Sequence, residues 1–202
     1  GVVGGAERYV LELARHMAER TPTTLVTFGD AMREERVGEL RIRVLGPAYR
    51  VRGQYNNPIH PGLVREVVRS DIVHCHQQHV VATSLAALVA RVTNRCVFVT
   101  DLGGGGWDVS SYVSTHRWYD GHLHISEYSR AVYGHRDFPR AHVIGGVVDT
   151  AKFAPDPSVT GGDTALFVGR LMPHKGVDAL IAASDVDLPV EVIGEPYHPR
   201  FV

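Results

Sequence analysis

The sequence predicts an open α/β fold, a parallel sheet with helices packed on it, and three observations lead there. Short β-branched runs alternate with amphipathic helical segments along the whole chain, the order that builds a parallel sheet. Clusters of glycine, proline and asparagine punctuate them. Hydrophobic residues make up 44% and charged residues 21% of 202 positions, enough apolar material to bury a core.

The elements follow in order. Ala6 to Arg20 is the first helix, because Val10, Leu13, Ala14 and Met17 recur at helical spacing while Arg8, Glu12, Arg15 and Glu19 take the other side. Thr23 to Phe28 and Arg41 to Leu45 read as strands, and 46–60, broken by Pro47, Gly53 and Pro58, as irregular chain. Pro61 to Arg69 suits a short helix, Asp71 to His76 a buried strand, Ala82 to Val92 a buried helix and Arg95 to Thr100 the next strand. Ser110 to Tyr119 is expected to be helical and Gly121 to Ile125 a strand, with Ser126 capping a helix to about His135. A strand over Ala141 to Ile144 precedes a linker signal at 154–163. The pattern then restarts with a strand over Thr164 to Val168, a helix over Gly176 to Ala183 and a strand over Pro189 to Ile193.

Composition excludes several kinds of function. Twenty-two acids against 21 bases leave a net charge of −1, which offers no general attraction to a polyanion, so no nucleic-acid partner is expected. Cys75 and Cys96 cannot make a disulfide framework, and no run approaches the ~20 apolar residues of a membrane span. The start, Gly1-Val2-Val3, lacks a signal-peptide pattern. These features suit a reducing compartment, the cytoplasm. Two oddities stand out: 12 histidines, and only two lysines, Lys152 and Lys175, among 21 basic residues.

Ligands of open parallel sheets bind beyond the carboxyl ends of the strands. That rule selects His76 to His79, Asp101 to Trp107, Ser126-Glu127, Gly145 to Asp149 and Gly169 to Lys175, plus Gly4-Gly5 ahead of the first helix. Bare backbone at Gly4-Gly5 suits an anion or a sugar at a helix start; the alternative is a flexible lead-in. In Gly169-Arg170-Leu171-Met172-Pro173-His174-Lys175-Gly176, a planar arginine fork and a lysine point charge suit a diphosphate, or else decorate a solvated turn. The run Gly103 to Gly106 suits an anion nest or a lid, and Trp107 either stacks on a ligand or packs. His74, Cys75, His76 and His79 are zinc-ligand types, yet on a strand His74 and His76 face away from Cys75, so no metal site is expected. Asp185-Val186-Asp187 falls between a helix and a strand, at the wrong sheet edge for a metal-diphosphate motif.

Five segments in order resemble glycosyltransferase family 4: Gly4-Gly5-Ala6-Glu7-Arg8, Asp71-Ile72-Val73-His74-Cys75-His76, Ile125-Ser126-Glu127-Tyr128-Ser129-Arg130, Val148-Asp149-Thr150-Ala151-Lys152-Phe153-Ala154-Pro155, and Phe167-Val168-Gly169-Arg170-Leu171 followed by Lys175-Gly176-Val177-Asp178. The resemblance implies a GT-B architecture. Residues 1–155 would be a Rossmann-like N-terminal lobe on the acceptor side without its first strand, and 156–202 the start of a C-terminal lobe for the nucleotide sugar. It also implies retaining transfer from a nucleotide diphosphate sugar to a glycan, lipid-linked or small-molecule acceptor. No cofactor or essential metal is expected, and a lipid-linked acceptor would bring peripheral contact with the inner membrane face.

By the same resemblance Arg170 and Lys175 stabilise the leaving diphosphate. Taken together, the strand-end loops and the matching segments make Gly4, Gly5, His76, Gly103, Gly104, Ser126, Glu127 and Gly169 the candidate donor- and acceptor-binding residues. Departures are also legible. The family's Thr-x-His is here Thr100-Asp101-Leu102, which leaves Asp101 or the Gly103 to Gly106 loop as the candidate replacement, and its Asn-Gly-Val-Asp is here Gly146-Val147-Val148-Asp149. The later Glu-x7-Glu motif would lie past Val202, so these residues alone are expected not to turn over a nucleotide sugar. The alternative readings are a non-catalytic Rossmann-like binding module and another GT-B-like sugar-phosphate enzyme.

Overall fold

The computed structural model describes residues 4–102, 107–146, 148–184 and 189–195. Gly103 to Gly106, Val147 and Asp185-Val186-Asp187 lie outside the described residues. The chain divides into two units, Gly1–Val148 and Asp149–Val202.

In the first unit, helix α1 (Gly5–Ala18) leads to β1 (Thr24–Phe28), β2 (Arg33–Val37) and β3 (Leu40–Leu45). Strand β3 is central in this sheet, parallel to β1 and antiparallel to β2. Strand β2 is an addition to the sequence reading. Every residue of Arg33-Glu34-Glu35-Arg36-Val37 is exposed, so no apolar alternation betrays it. The strand exists through its ladder to β3, a two-residue turn with Gly38 at φ 58°, and a bidentate Arg41–Glu34 pair at 2.7 and 2.9 Å.

Residues 49–59 make a small antiparallel pair, β4 (Tyr49–Arg50) with β5 (Pro58–Ile59), joined through a 3₁₀ turn. Next come α2 (Gly62–Val68), β6 (Ile72–His76), α3 (Val81–Val92), β7 (Cys96–Asp101), β8 (Gly121–His124), α4 (Glu127–Val132) and β9 (Ala141–Val143). Strands β6-β7-β8-β9 form one sheet, parallel at every pairing, as the strand–helix alternation predicts.

The core explains why α3 reads as apolar on most faces. Ala82, Ala86, Ala87 and Ala90 are buried against Val97 and Val99 of β7, Cys75 of β6, and Leu63 and Val67 of α2. Small side chains at four such positions bring the helix close to the sheet. Leu45 joins this cluster, with Val26 and Phe28 packed on it, so both sheets share one core. Helix α3 stops at a Schellman cap: Asn94 takes φ 55°, Arg95 N–H donates to the Ala90 carbonyl and Asn94 N–H to that of Arg91.

Two helical expectations are corrected. Between 110 and 119 there is no α-helix but two 3₁₀ turns, Val109–Ser111 and His116–Trp118. The Asp108 carboxylate accepts the Ser110 N–H and hydroxyl, a local bond that competes with helix propagation. Helix α4 ends at Val132 rather than near His135, because Gly134 at φ 70° closes a second Schellman cap in which His135 N–H donates to the Arg130 carbonyl.

In the second unit β10 (Ala165–Val168) and β11 (Val190–Ile193) pair in parallel, with α5 (Val177–Ala183) between them in sequence. A Cβ at Gly194 would run into the Gly169 carbonyl, so the chain segments leaving the two strands cross where only glycine fits. No helix among the described residues is long and apolar enough to cross a membrane.

Candidate functional site

Sequence-predicted residues gather at the carboxyl ends of the first unit's strands, though in different roles. His76 ends β6. Its ring stands 4.2 Å from that of His74 on the same strand face and edge-on to Tyr9 of α1 at 6.4 Å. The Tyr9 contact brings the opening of α1, with Gly4 and Gly5, to the same end of the unit as His76. Burial, then the neighbouring His74, pushes His76 down to about 3, so the ring is neutral at physiological pH. Its buried Nδ1 has no hydrogen-bond partner. Cys75 faces the core instead, and burial pushes its thiol up to about 12. Among the described residues no three of His, Cys, Asp and Glu are grouped so as to hold a metal ion.

Gly4 caps α1 without a side-chain bond, and a Cβ there would meet the Glu7 carboxylate at 2.6 Å. At Gly5 a Cβ would meet nothing within 4 Å. No packing inside the described chain therefore demands glycine at position 5.

Asp101 ends β7 and is 2% exposed. One carboxylate oxygen accepts the Gln78 N–H at 3.3 Å, and the Tyr133 hydroxyl is a further donor to it. Burial foremost, then this carboxylate, raises the Tyr133 phenol above its ordinary range. Asp101 thus ties together the segments that follow β6 and α4. Ser126 follows β8 and caps α4, its hydroxyl accepting the Ser129 N–H at 3.0 Å, which agrees with its expected capping. Glu127 is exposed and meets Arg130 at 3.4 Å. Gly103 and Gly104 lie outside the described residues.

Trp107, just past those glycines, is held by residues that sequence reasoning left as irregular loop. Gln54 Oε1 accepts the Trp107 N–H at 3.1 Å, while Asn57 Nδ2 donates to the Trp107 carbonyl at 2.6 Å. Asn57 Oδ1 also accepts the Val81 N–H at 2.9 Å, so one fully buried amide links Trp107 to the start of α3. The Arg52 guanidinium covers one face of the Trp107 ring at 3.9 Å. The only cue to these roles was the density of Gln, Asn and Gly in a long loop.

The sequence also left most of the histidines unplaced, and four of them, His116, His122, His124 and His135, cluster. The rings of His122, His124 and His135 stand 4.4 to 6.4 Å apart, with His116 beside His135. His122 Nε2 donates to the His116 carbonyl at 2.8 Å, and its buried Nδ1 has no partner. His124 Nε2 and His135 Nδ1 share one hydrogen at 3.0 Å. Protonating both rings would set two N–H groups against each other, so this contact does not admit two charges. Burial foremost lowers all three, His135 to about 4.

In the second unit β10 ends at Val168 and Gly169 follows, its N–H bonded to the Ile193 carbonyl at 3.0 Å. Arg170 and Lys175 are both exposed on the next loop, which closes in a 3₁₀ turn over Pro173–Lys175 and in Gly176 at φ 73°, the residue preceding α5. The left-handed backbone there makes glycine the fitting residue.

A family model described as Glycosyltransferase Family 4 matches residues 3–152, which takes in the first unit's sheets and every candidate position in them. Arg170 and Lys175 lie after the matched stretch. No curated protein matches the chain. Three quarters of the sequence falls under one family description, and the chain belongs to glycosyltransferase family 4.

Proposed function

We propose that the chain serves a retaining glycosyltransferase that moves a sugar from a nucleotide diphosphate donor to a glycan, lipid-linked or small-molecule acceptor. The observation that carries this reading is the family match over 3–152, joined to a loop after β10 that presents two cations. As the glycosidic bond loosens, negative charge builds on the departing diphosphate, and preorganised cations lower that barrier. Arg170 supplies a planar fork of donors and Lys175 a mobile point charge. The acceptor oxygen forms the new bond, and its proton leaves toward the departing phosphate. In this reading Gly5 admits close approach of a sugar or phosphate, and neutral His76 offers hydrogen bonds without attracting anions.

The free thiols, Cys75 and the exposed Cys96, suit a reducing compartment such as the cytoplasm, where nucleotide sugars serve glycan assembly. The test gives a polypeptide containing this chain a panel of nucleotide diphosphate sugars and acceptors, with the product's anomeric configuration read by NMR. Arg170→Ala and Lys175→Ala should each lower kcat about a hundredfold while thermal unfolding stays unchanged. Unaltered kinetics in both variants, or an inverted product, would remove this assignment.

A further inference from the structure

We propose that Arg52, in the turn joining β4 to β5, binds an oxyanion, a phosphate or carboxylate group. The site is separate from the loops at Gly4-Gly5 and at Arg170 to Lys175, and it stands whether or not the transferase reading does.

The backbone supplies the first argument. The Gln54 N–H donates to the Val51 carbonyl at 3.0 Å, closing a turn whose central residues, Arg52 and Gly53, have φ 52° and 71°. Positive φ at both centres calls for asparagine or glycine at the first, because a larger side chain is crowded in the left-handed region. Arginine there works against the local preference of the turn. Strain of this kind is held where a side chain has a task beyond folding.

The side chain supplies the second. Arg52 is exposed, and its guanidinium lies over the Trp107 ring at 3.9 Å. Among the described residues no hydrogen bond engages its N–H groups and no carboxylate pairs with it. Stacking uses the flat face of the cation, whereas its donors lie in the plane and stay available at the edge. Trp107 does not depend on the cation for its position, since Gln54 and Asn57 already hold its backbone on both sides.

Electrostatics fix the sign of the ligand. No aspartate or glutamate occurs between Glu39 and Glu66, a stretch that carries Arg41, Arg43, Arg50, Arg52 and Arg65. Arg41 is engaged by Glu34 and Arg43 by Glu66. Arg50 instead rests on the Tyr55 ring at 4.6 Å and donates to the Tyr55 carbonyl, so its charge, like that of Arg52, meets no carboxylate. Asp108, the acid that follows Trp107, is 1% exposed and accepts hydrogen bonds from Ser84 and Ser110. Two uncompensated cations two positions apart attract an anion, and a planar fork of donors matches a pair of oxygens on phosphate or carboxylate.

The test titrates the chain with sodium phosphate and sodium acetate at constant ionic strength, with chloride as the blank. Binding is read by NMR at the Arg52 Nε–H and the Trp107 indole N–H. Phosphatidylcholine vesicles with and without phosphatidylglycerol, read by co-sedimentation, separate a lipid headgroup from a free anion as the source. Phosphate, acetate or the anionic vesicles should bind saturably. Arg52→Asn and Arg52→Gly, both suited to the turn, should each weaken that binding about tenfold or more. Arg52→Asn should also unfold on heating at or above the wild-type temperature, because the turn is relieved. A lower temperature would show that arginine is kept for its contact with Trp107 and would overturn the proposal. So would the absence of saturable binding to all three probes, or binding by both variants as tight as that of the wild type. The resonance shifts in the wild-type chain decide the matter even if a variant fails to fold.

Discussion

Acid should unfold the first unit well above the range where its carboxylates protonate, and His135 sets much of the effect. In the unfolded chain an imidazole titrates near 6.5, whereas burial foremost, then His122, His124 and His116, hold His135 down at about 4. The unfolded state therefore binds the extra proton throughout that window. The stability from a neutral His135 is fully present above pH 6.5 and is lost as pH falls toward 4. A shift of this size corresponds to about 3 kcal/mol in full, of which about 2 kcal/mol is gone at pH ~5. His122 and His124 shift the same way and steepen the loss; Arg130 lowers His124 further, while Asp101 and Glu127 oppose it. The assay is urea unfolding followed by tryptophan fluorescence between about pH 7.5 and 5, and both tryptophans, Trp107 and Trp118, belong to this unit. In His135→Phe, which keeps the contact with Phe138, the slope of stability against pH should fall by about 1.4 kcal/mol per unit, one proton's worth. A flat wild-type profile across that range, or an unchanged slope in the variant, would refute the reasoning.

Two further substitutions probe how the site is held. Asn57→Ala removes bonds to both Trp107 and Val81 from a buried amide; it should cost about 1–3 kcal/mol in urea unfolding and shift Trp107 emission to the red. A loss under about half a kcal/mol would mean that Asn57 does not tie the two segments together. Gly134→Ala forces a Cβ onto φ 70° and should cost about 1–2 kcal/mol by thermal unfolding, while Gly53→Ala provides a second left-handed position outside the histidine cluster. If only Gly134→Ala also changes the acid slope, the Schellman cap is what sets His135 against His124.

What the sequence revealed and what it hid have one physical basis. Segments whose side chains face the core advertise themselves: α3 through its buried alanines, β7 through Val97 and Val99. Strand β2 faces solvent along its whole length and is specified by hydrogen bonds, which leave no periodicity. The end of α4 was written in Gly134 and the failure of helix at 110–119 in Asp108, but each is a single residue outweighed by the apolar spacing around it. The strand-end rule placed His76, Asp101 and Ser126 at the carboxyl ends of their strands because it concerns chain topology. It says nothing of orientation, and so did not foresee that Asp101 is buried or that Gln78, Ser110 and Tyr133 meet around His79 from distant stretches of chain. Twelve histidines were the visible sign that something was concentrated there.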